Sequence, residues 1–209
     1  MAAILTDLAR ELRRFADAIG AGDDRPGFAV IGGLAVSVRT EPRFTRDIDL
    51  AVACPTDEDA EALLYALLQR GYRTAAVFEH ASGRMSTVRL VPPGGSEDGI
   101  LVDLLFASSG IEAEIVVDAE RVEVLPGVVL PVARIGHLLA LKLLSVDERR
   151  PKDQQDLVAL LAEADAGELQ RCSDGIALVD RRGYARGRDL HAAFTALRAS
   201  VDQRRPTHS

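Results

Sequence analysis

Lysine is almost missing from this 209-residue chain: of its 25 basic residues only Lys142 and Lys152 are lysines, and the other 23 are arginines. A general preference for arginine explains most of that bias, yet it makes the two surviving ammonium groups worth following. Cysteine is as scarce. Cys54 and Cys172 stand far apart without metal-ligand neighbours, which excludes a disulfide framework and a zinc site and leaves two ordinary buried or half-buried thiols. No run of about 18 apolar residues occurs, so no membrane-spanning helix is expected. The N-terminal MAAILTDLARELRRF mixes charged and apolar residues at helical spacing instead of following a basic head with an apolar stretch. It does not read as a secretory signal, and the expected location is the cytoplasm. Neither a G-x-x-x-x-G-K-[ST] loop nor a G-x-S-x-G elbow is present, which disfavours a P-loop NTPase and an α/β-hydrolase.

The charge balance is acidic, 32 Asp and Glu against 25 Lys and Arg, for a net −7. That argues against a protein that holds duplex nucleic acid by sheer phosphate neutralisation, but not against one with a small charged substrate or a local basic face. Such a face exists in outline: residues 171–209 hold eight Arg against four Asp. Either a polyanion contact or a solvated, Arg-rich terminus accounts for it. With 47% hydrophobic residues the chain has enough apolar material for a substantial core.

Periodicity orders that material. Leu8, Leu12, Phe15 and Ile19 recur at helix spacing up to the Gly20-Ala21-Gly22 break. Phe28 to Ile31 is a short buried strand, ended by Gly32-Gly33, after which a helix begins. The strand DIDLAVA follows, with Asp47, Asp49 and Ala51 on one face and Ile48, Leu50 and Val52 on the other. Thr56 and Asp59 have capping-box spacing for a helix that runs to Gly71. Further strands are predicted around 72–79, 86–91 and 100–106, then a short helical stretch within 108–118 and a hairpin over 122–132 turning at Pro126-Gly127. From residue 133 the pattern turns helical, with helices on either side of Pro151 and another over 189–201. The expectation is an α+β fold in which a mixed β-sheet with flanking helices (1–132) precedes a small C-terminal helical region (133–209).

The chemistry centres on carboxylates. Positions i and i+2 of a strand put Asp47 and Asp49 on one face, roughly 6 to 7 Å apart at the backbone, close enough to share a cation. A divalent ion is the usual reason for keeping two such groups ionised together, and oxygen-only ligands favour Mg²⁺ or Mn²⁺. On general grounds a D-x-D on a strand is more often a solvated edge. Two features raise the functional reading. Gly32-Gly33, between a strand and a helix start, admits a phosphate close to the backbone. Asp103 interrupts the otherwise apolar ILVDLLF, which is costly unless a cation or donors lie beside it.

Taken together, IGGLAVSVRTEPRFTRDIDLAV and the later Asp103 resemble the nucleotidyltransferase superfamily that includes DNA polymerase beta. The form R-x-T-R-D-I-D-L, with a downstream L-K-L and R-x-K-D-x-x-D-L, is similar to the AbiEii-type nucleotidyltransferases of toxin–antitoxin and phage-defence systems. The match spans about residues 28–160. The resemblance implies a nucleotidyltransferase-like sheet and transfer of NMP from an NTP to a hydroxyl acceptor, with the 3′ end of tRNA as one acceptor and a cognate antitoxin as partner. It implies Mg²⁺, with Mn²⁺ as substitute, on Asp47, Asp49 and Asp103, and nucleotide contacts from Gly32, Gly33, Arg43, Thr45, Arg46 and Lys142. Gly33 departs from a serine common in the superfamily, so one phosphate donor is lost. Lys142, in the apolar helix LLALKLL, snorkels to water or reaches an anion; the resemblance implies the triphosphate. It also implies an active-site role for Asp156, with Lys152 and Asp153 as supports, although an i, i+4 surface ion pair explains the same spacing. His137 reads as structural. Alternatives are a small-molecule or protein acceptor, phosphodiester hydrolysis on the same metals, and a catalytically silent nucleotide- or RNA-binding module.

Overall fold

Two short segments, apolar except for Asp49, sit at the centre of the molecule because nearly all of their side chains avoid water. In the structure, a computed structural model that describes residues 2–19, 27–41, 45–80, 83–146 and 151–202, these are β1 (Phe28–Ile31) and β2 (Ile48–Val52). Their Ala29, Val30, Ile48, Leu50, Ala51 and Val52 are fully or almost fully buried. They pair antiparallel, with Ile31 opposite Asp49. β3 (Arg73–Glu79), β4 (Met85–Val91), β5 (Val102–Leu105), β6 (Glu120–Leu125) and β7 (Val128–Val132) complete a seven-stranded mixed sheet in the order β3-β4-β5-β2-β1-β7-β6. β2 runs parallel to β5, β1 parallel to β7, and the remaining neighbours are antiparallel.

Helices flank and extend this sheet: α1 (Ala2–Ile19), α2 (Gly32–Arg39), α3 (Asp57–Gln69), α4 (Glu112–Val117), α5 (Ile135–Ser145), α6 (Pro151–Glu163), α7 (Ala166–Arg181) and α8 (Leu190–Asp202). α1 buries Leu8, Leu12, Phe15 and Ile19, as its periodicity requires. The Thr56–Asp59 capping box opens α3, with both reciprocal bonds made. The hairpin turns at Gly127, whose φ of +72° suits glycine. The Gly20-Ala21-Gly22 break lies outside the described residues.

One helix is not foreseen by periodicity. α7 carries Gly167, Ser173 and Gly175, and each interior glycine costs about 1 kcal/mol of helix propensity relative to alanine. Tertiary packing outweighs that cost. A Cβ at Gly136 of α5 would fall 2.4 Å from the Glu168 carbonyl oxygen of α7, and one at Gly175 would meet Ala140 at 3.5 Å. Gly136 lets the two backbones approach closely, whereas a side chain at Gly175 would meet α5 at ordinary contact distance; Asp165 caps α7 through the Glu168 N–H, and Cys172, Ile176 and Val179 are buried. Cys172 is one of the two thiols expected to be buried or half-buried, and burial pushes it up to about 12.

Candidate active site

The register across β1, β2, β5 and β4 lines up one row of residues. Ile31 lies opposite Asp49, Asp49 opposite Asp103, and Asp103 opposite Arg89, so all four project from the same sheet face. Gly32 and Gly33 follow directly at the N-terminus of α2, and Asp47 immediately precedes β2.

Glycine at position 32 is a steric requirement. Its φ is +61°, and a Cβ there would sit 1.9 Å from Oδ2 of Asp49. With no side chain in the way, the Asp49 carboxylate lies against the turn and accepts the Gly33 N–H. That donor therefore serves the carboxylate in this state. Burial, followed by the neighbouring charges of Asp103 and then Asp47, pushes the Asp49 carboxyl up to about 6; the Gly33 N–H and the Lys142 charge oppose the shift. Asp47 is exposed, and Thr45 Oγ1 makes a long contact of 3.5 Å to its carbonyl oxygen.

Asp103 is buried, and both of its oxygens are taken. Arg89 donates from Nε to Oδ1 at 2.8 Å and from Nη2 to Oδ2 at 2.7 Å, a fork-to-carboxylate pair. Sequence reasoning missed Arg89, yet the signal was there: a buried carboxylate in an apolar strand needs a cation, and Arg89 is the one charge in the STVRLV strand.

From the helical side, the Lys142 ammonium lies 2.8 Å from Oδ1 of Asp153 and 2.7 Å from Oδ2 of Asp156. Asp156 is buried, and Asp153 is a direct partner of the lysine. Lys142 thus ties α5 to α6 at the edge of the acidic row.

These groups open onto one cavity of about 890 Å³. Of the residues singled out from the sequence, Gly32, Gly33, Thr45, Arg46, Asp47, Asp49, Asp103, Lys142 and Asp156 line it, as do Lys152 and Asp153. Arg43 lies outside the described residues. Arg89, Ser108, Ser109 and Arg186 line it as well and were not anticipated. Arg186 comes from the Arg-rich C-terminal stretch and has a left-handed φ of 56°. Its Nη2 donates to the Ser108 carbonyl at 2.8 Å and approaches Oγ at 3.2 Å. His137 is buried in α5 and lines a different hollow, with Asp118 and Arg171.

The donor set suits a hard divalent ion. Asp47 and Asp49 offer oxygens only; burial is the larger cause of the upward push on Asp49, and the part that Asp103 and Asp47 add is a repulsion that a cation relieves. Asp103 is held back by Arg89, and among the described residues no three Asp, Glu, His or Cys side chains form a ready-made metal cage. No described helix is long and apolar enough to cross a membrane.

The family described as nucleotidyl transferase AbiEii toxin, type IV TA system, matches residues 14–205. No curated protein matches the sequence. Among solved structures, the lincosamide antibiotic adenylyltransferase LnuA bound to lincomycin is similar over 78% of this chain and 98% of its own, at 14% identity and a TM-score of 0.45. ANT(2")-Ia in complex with adenylyl-2"-tobramycin covers 96% and 99% at 14% identity and a TM-score of 0.48. MenT4, a nucleotidyltransferase toxin of Mycobacterium tuberculosis, covers 94% and 92% at 16% identity and a TM-score of 0.37.

Proposed function

This chain belongs to the AbiEii nucleotidyltransferase toxin family, and from that premise we propose that its cleft transfers a nucleoside monophosphate from an NTP to an acceptor hydroxyl in a Mg²⁺-dependent reaction, with the 3′ end of tRNA as the leading acceptor. The observation that carries the reading is the convergence of Asp47, Asp49 and Asp103 beside Gly32-Gly33 on one cavity.

In the reaction the acceptor oxygen bonds to the α-phosphorus, the bond from that phosphorus to the bridging oxygen breaks, and pyrophosphate leaves. Asp47 and Asp49 would hold Mg²⁺, which supplies positive charge to the phosphoryl oxygens and lowers the pKa of the attacking hydroxyl. The protein's own part is placement. The absence of side chains at Gly32 and Gly33 keeps the floor low enough for a phosphate to approach the start of α2. Thr45 and Arg46 offer a hydroxyl and a guanidinium at the same wall, and the Lys142 ammonium, oriented by Asp153 and Asp156, presents a compact charge from the opposite helix. Arg186 and Lys152 add cationic groups to the lining, which favours an acceptor that carries phosphate.

The test is incubation with Mg²⁺ and each α-labelled NTP, with a tRNA pool or a panel of small-molecule and protein acceptors, beside Asp49→Ala. Label should pass to acceptor RNA with the wild type and fall at least about a hundredfold in the variant, the scale of losing a transition-state charge partner. Equal, negligible transfer by both proteins while both bind NTP would identify a silent binding module. Label released as free nucleotide would identify hydrolysis, and label on another acceptor would replace tRNA.

A further inference from the structure

The metal reading of the cleft raises a question of assembly. Asp47, Asp49 and Asp103 bring three carboxylates to one sheet face, two of them side by side on paired strands, and the chain must fold before any ion is bound. Asp103 has the least access to water of the three, at 7% exposure. A buried carboxylate without a partner is strongly destabilising, and beside a second carboxylate it is more so.

β4 answers this with one residue. Arg89 lies directly opposite Asp103, its side chain 39% exposed toward the cleft. The Nε–Oδ1 and Nη2–Oδ2 contacts of 2.8 and 2.7 Å are parallel, so the guanidinium fixes both the position and the plane of the carboxylate. The pair ends the row opposite the Gly32-Gly33 turn: one end is a helix start that donates a backbone N–H to Asp49, the other a side-chain cation that saturates Asp103.

Resting on the proposed metal-dependent function, we propose that Arg89 is the resident counter-cation of the acidic row: it holds Asp103 in place before a divalent ion binds, and it weakens the grip on that ion by competing for the same oxygens. Arg89 is a positioning residue in this scheme. A metal on Asp47 and Asp49 gains Asp103 as a further ligand to the extent that the guanidinium yields its oxygens, so the fork sets the affinity as well as the geometry.

Metal affinity is the decisive readout, because a merely structural arginine would not tighten it when removed. Mn²⁺ binding is measured by calorimetry, and thermal midpoints are recorded in chelator and in saturating Mn²⁺, for wild type, Arg89→Met, Arg89→Gln and Arg89→Lys. In chelator the Met and Gln variants should melt several degrees below wild type. Mn²⁺ should recover most of that loss, and both should bind it about tenfold or more tightly, since a full positive charge has left the ion's neighbourhood. Arg89→Lys keeps the charge without the fork and should lie between. Arg89→Gln is the milder change and reports if the Met variant does not fold. Wild-type Mn²⁺ binding that Asp49→Asn abolishes, with unchanged or weaker affinity in the Arg89 variants, overturns this proposal alone. Absence of Asp49-dependent Mn²⁺ binding in the wild type overturns the metal reading and this proposal with it.

Discussion

At the scale of single residues, the site depends as much on an absent side chain as on charges. Gly32 occupies a conformation costing a non-glycine residue about 1–2 kcal/mol, and its missing Cβ leaves the space that Oδ2 of Asp49 fills. Gly32→Ala must therefore move either the turn or the carboxylate. We expect a loss of at least about 2 kcal/mol in chemical denaturation, from the strained φ together with displacement of a buried group. Nucleotide transfer should fall to the level of Asp49→Ala. A variant as stable and active as wild type would show that the carboxylate can sit elsewhere. Asp47, Asp49 and Asp103 were legible in the sequence because strand alternation and the cost of a charge among apolar neighbours are local statements. Arg89 was not, because its meaning arises only when β4 and β5 pair in the register that sets it opposite Asp103.

At the scale of elements, the same division holds. Strands and capped helices announce themselves through period and end signals, whereas α7 is disguised by its glycines and is held by buried Cys172, Ile176 and Val179 and by the close approach that Gly136 of α5 permits. The α5–α6 contact is an instance where sequence spacing told half the story. Lys152, Asp153 and Asp156 suggested an ion pair within one helix, but Asp153 and Asp156 meet Lys142 of the neighbouring helix. Lys142 is thus both a charge at the cleft and the tie between two helices. Lys142→Met should cost about 3–5 kcal/mol, because it leaves two carboxylates with little solvent and no ammonium between them. Lys142→Arg retains the charge, and the net −7, but asks a wider planar group to sit where a compact one bridges two acids. It should keep most of the stability while reducing transfer about tenfold or more, and denaturation curves beside transfer rates would separate the two effects. Equal rates for Lys142→Arg and wild type would mean that any cation suffices.

For the whole molecule, the question is how the sheet and the helices after residue 133 hold together. A single buried apolar cluster runs from α1 and the central strands through Leu138, Leu139, Leu160, Ile176 and Phe194, and the family match over residues 14–205 takes in both the sheet and these helices. His137 sits within this junction, buried on α5. Its Nε2 is 3.9 Å from Asp118 after α4, while its Nδ1 has no hydrogen-bond partner. Burial lowers its pKa below the ordinary 6.5, outweighing the attraction of Asp118, Glu168 and Glu114, and Arg171 pushes the same way as burial. The sign of the linkage follows. As pH falls through about 6.5 the unfolded chain takes up the proton while the folded one resists it, so stability declines until the folded imidazole also charges. The slope contributed by one such site approaches but does not exceed about 1.4 kcal/mol per pH unit. Because the cluster is continuous, the sheet and the helices should unfold in one transition, and its free energy should carry that slope. Denaturation of wild type and His137→Gln from pH 8 to pH 5 provides the measurement. The difference between the two proteins should be constant above pH 7 and shift in favour of the variant below about 6.5. A constant difference over the whole range would assign the acid sensitivity to other groups, and two separate transitions would show that the helical region is held to the sheet more weakly than its share of the core implies.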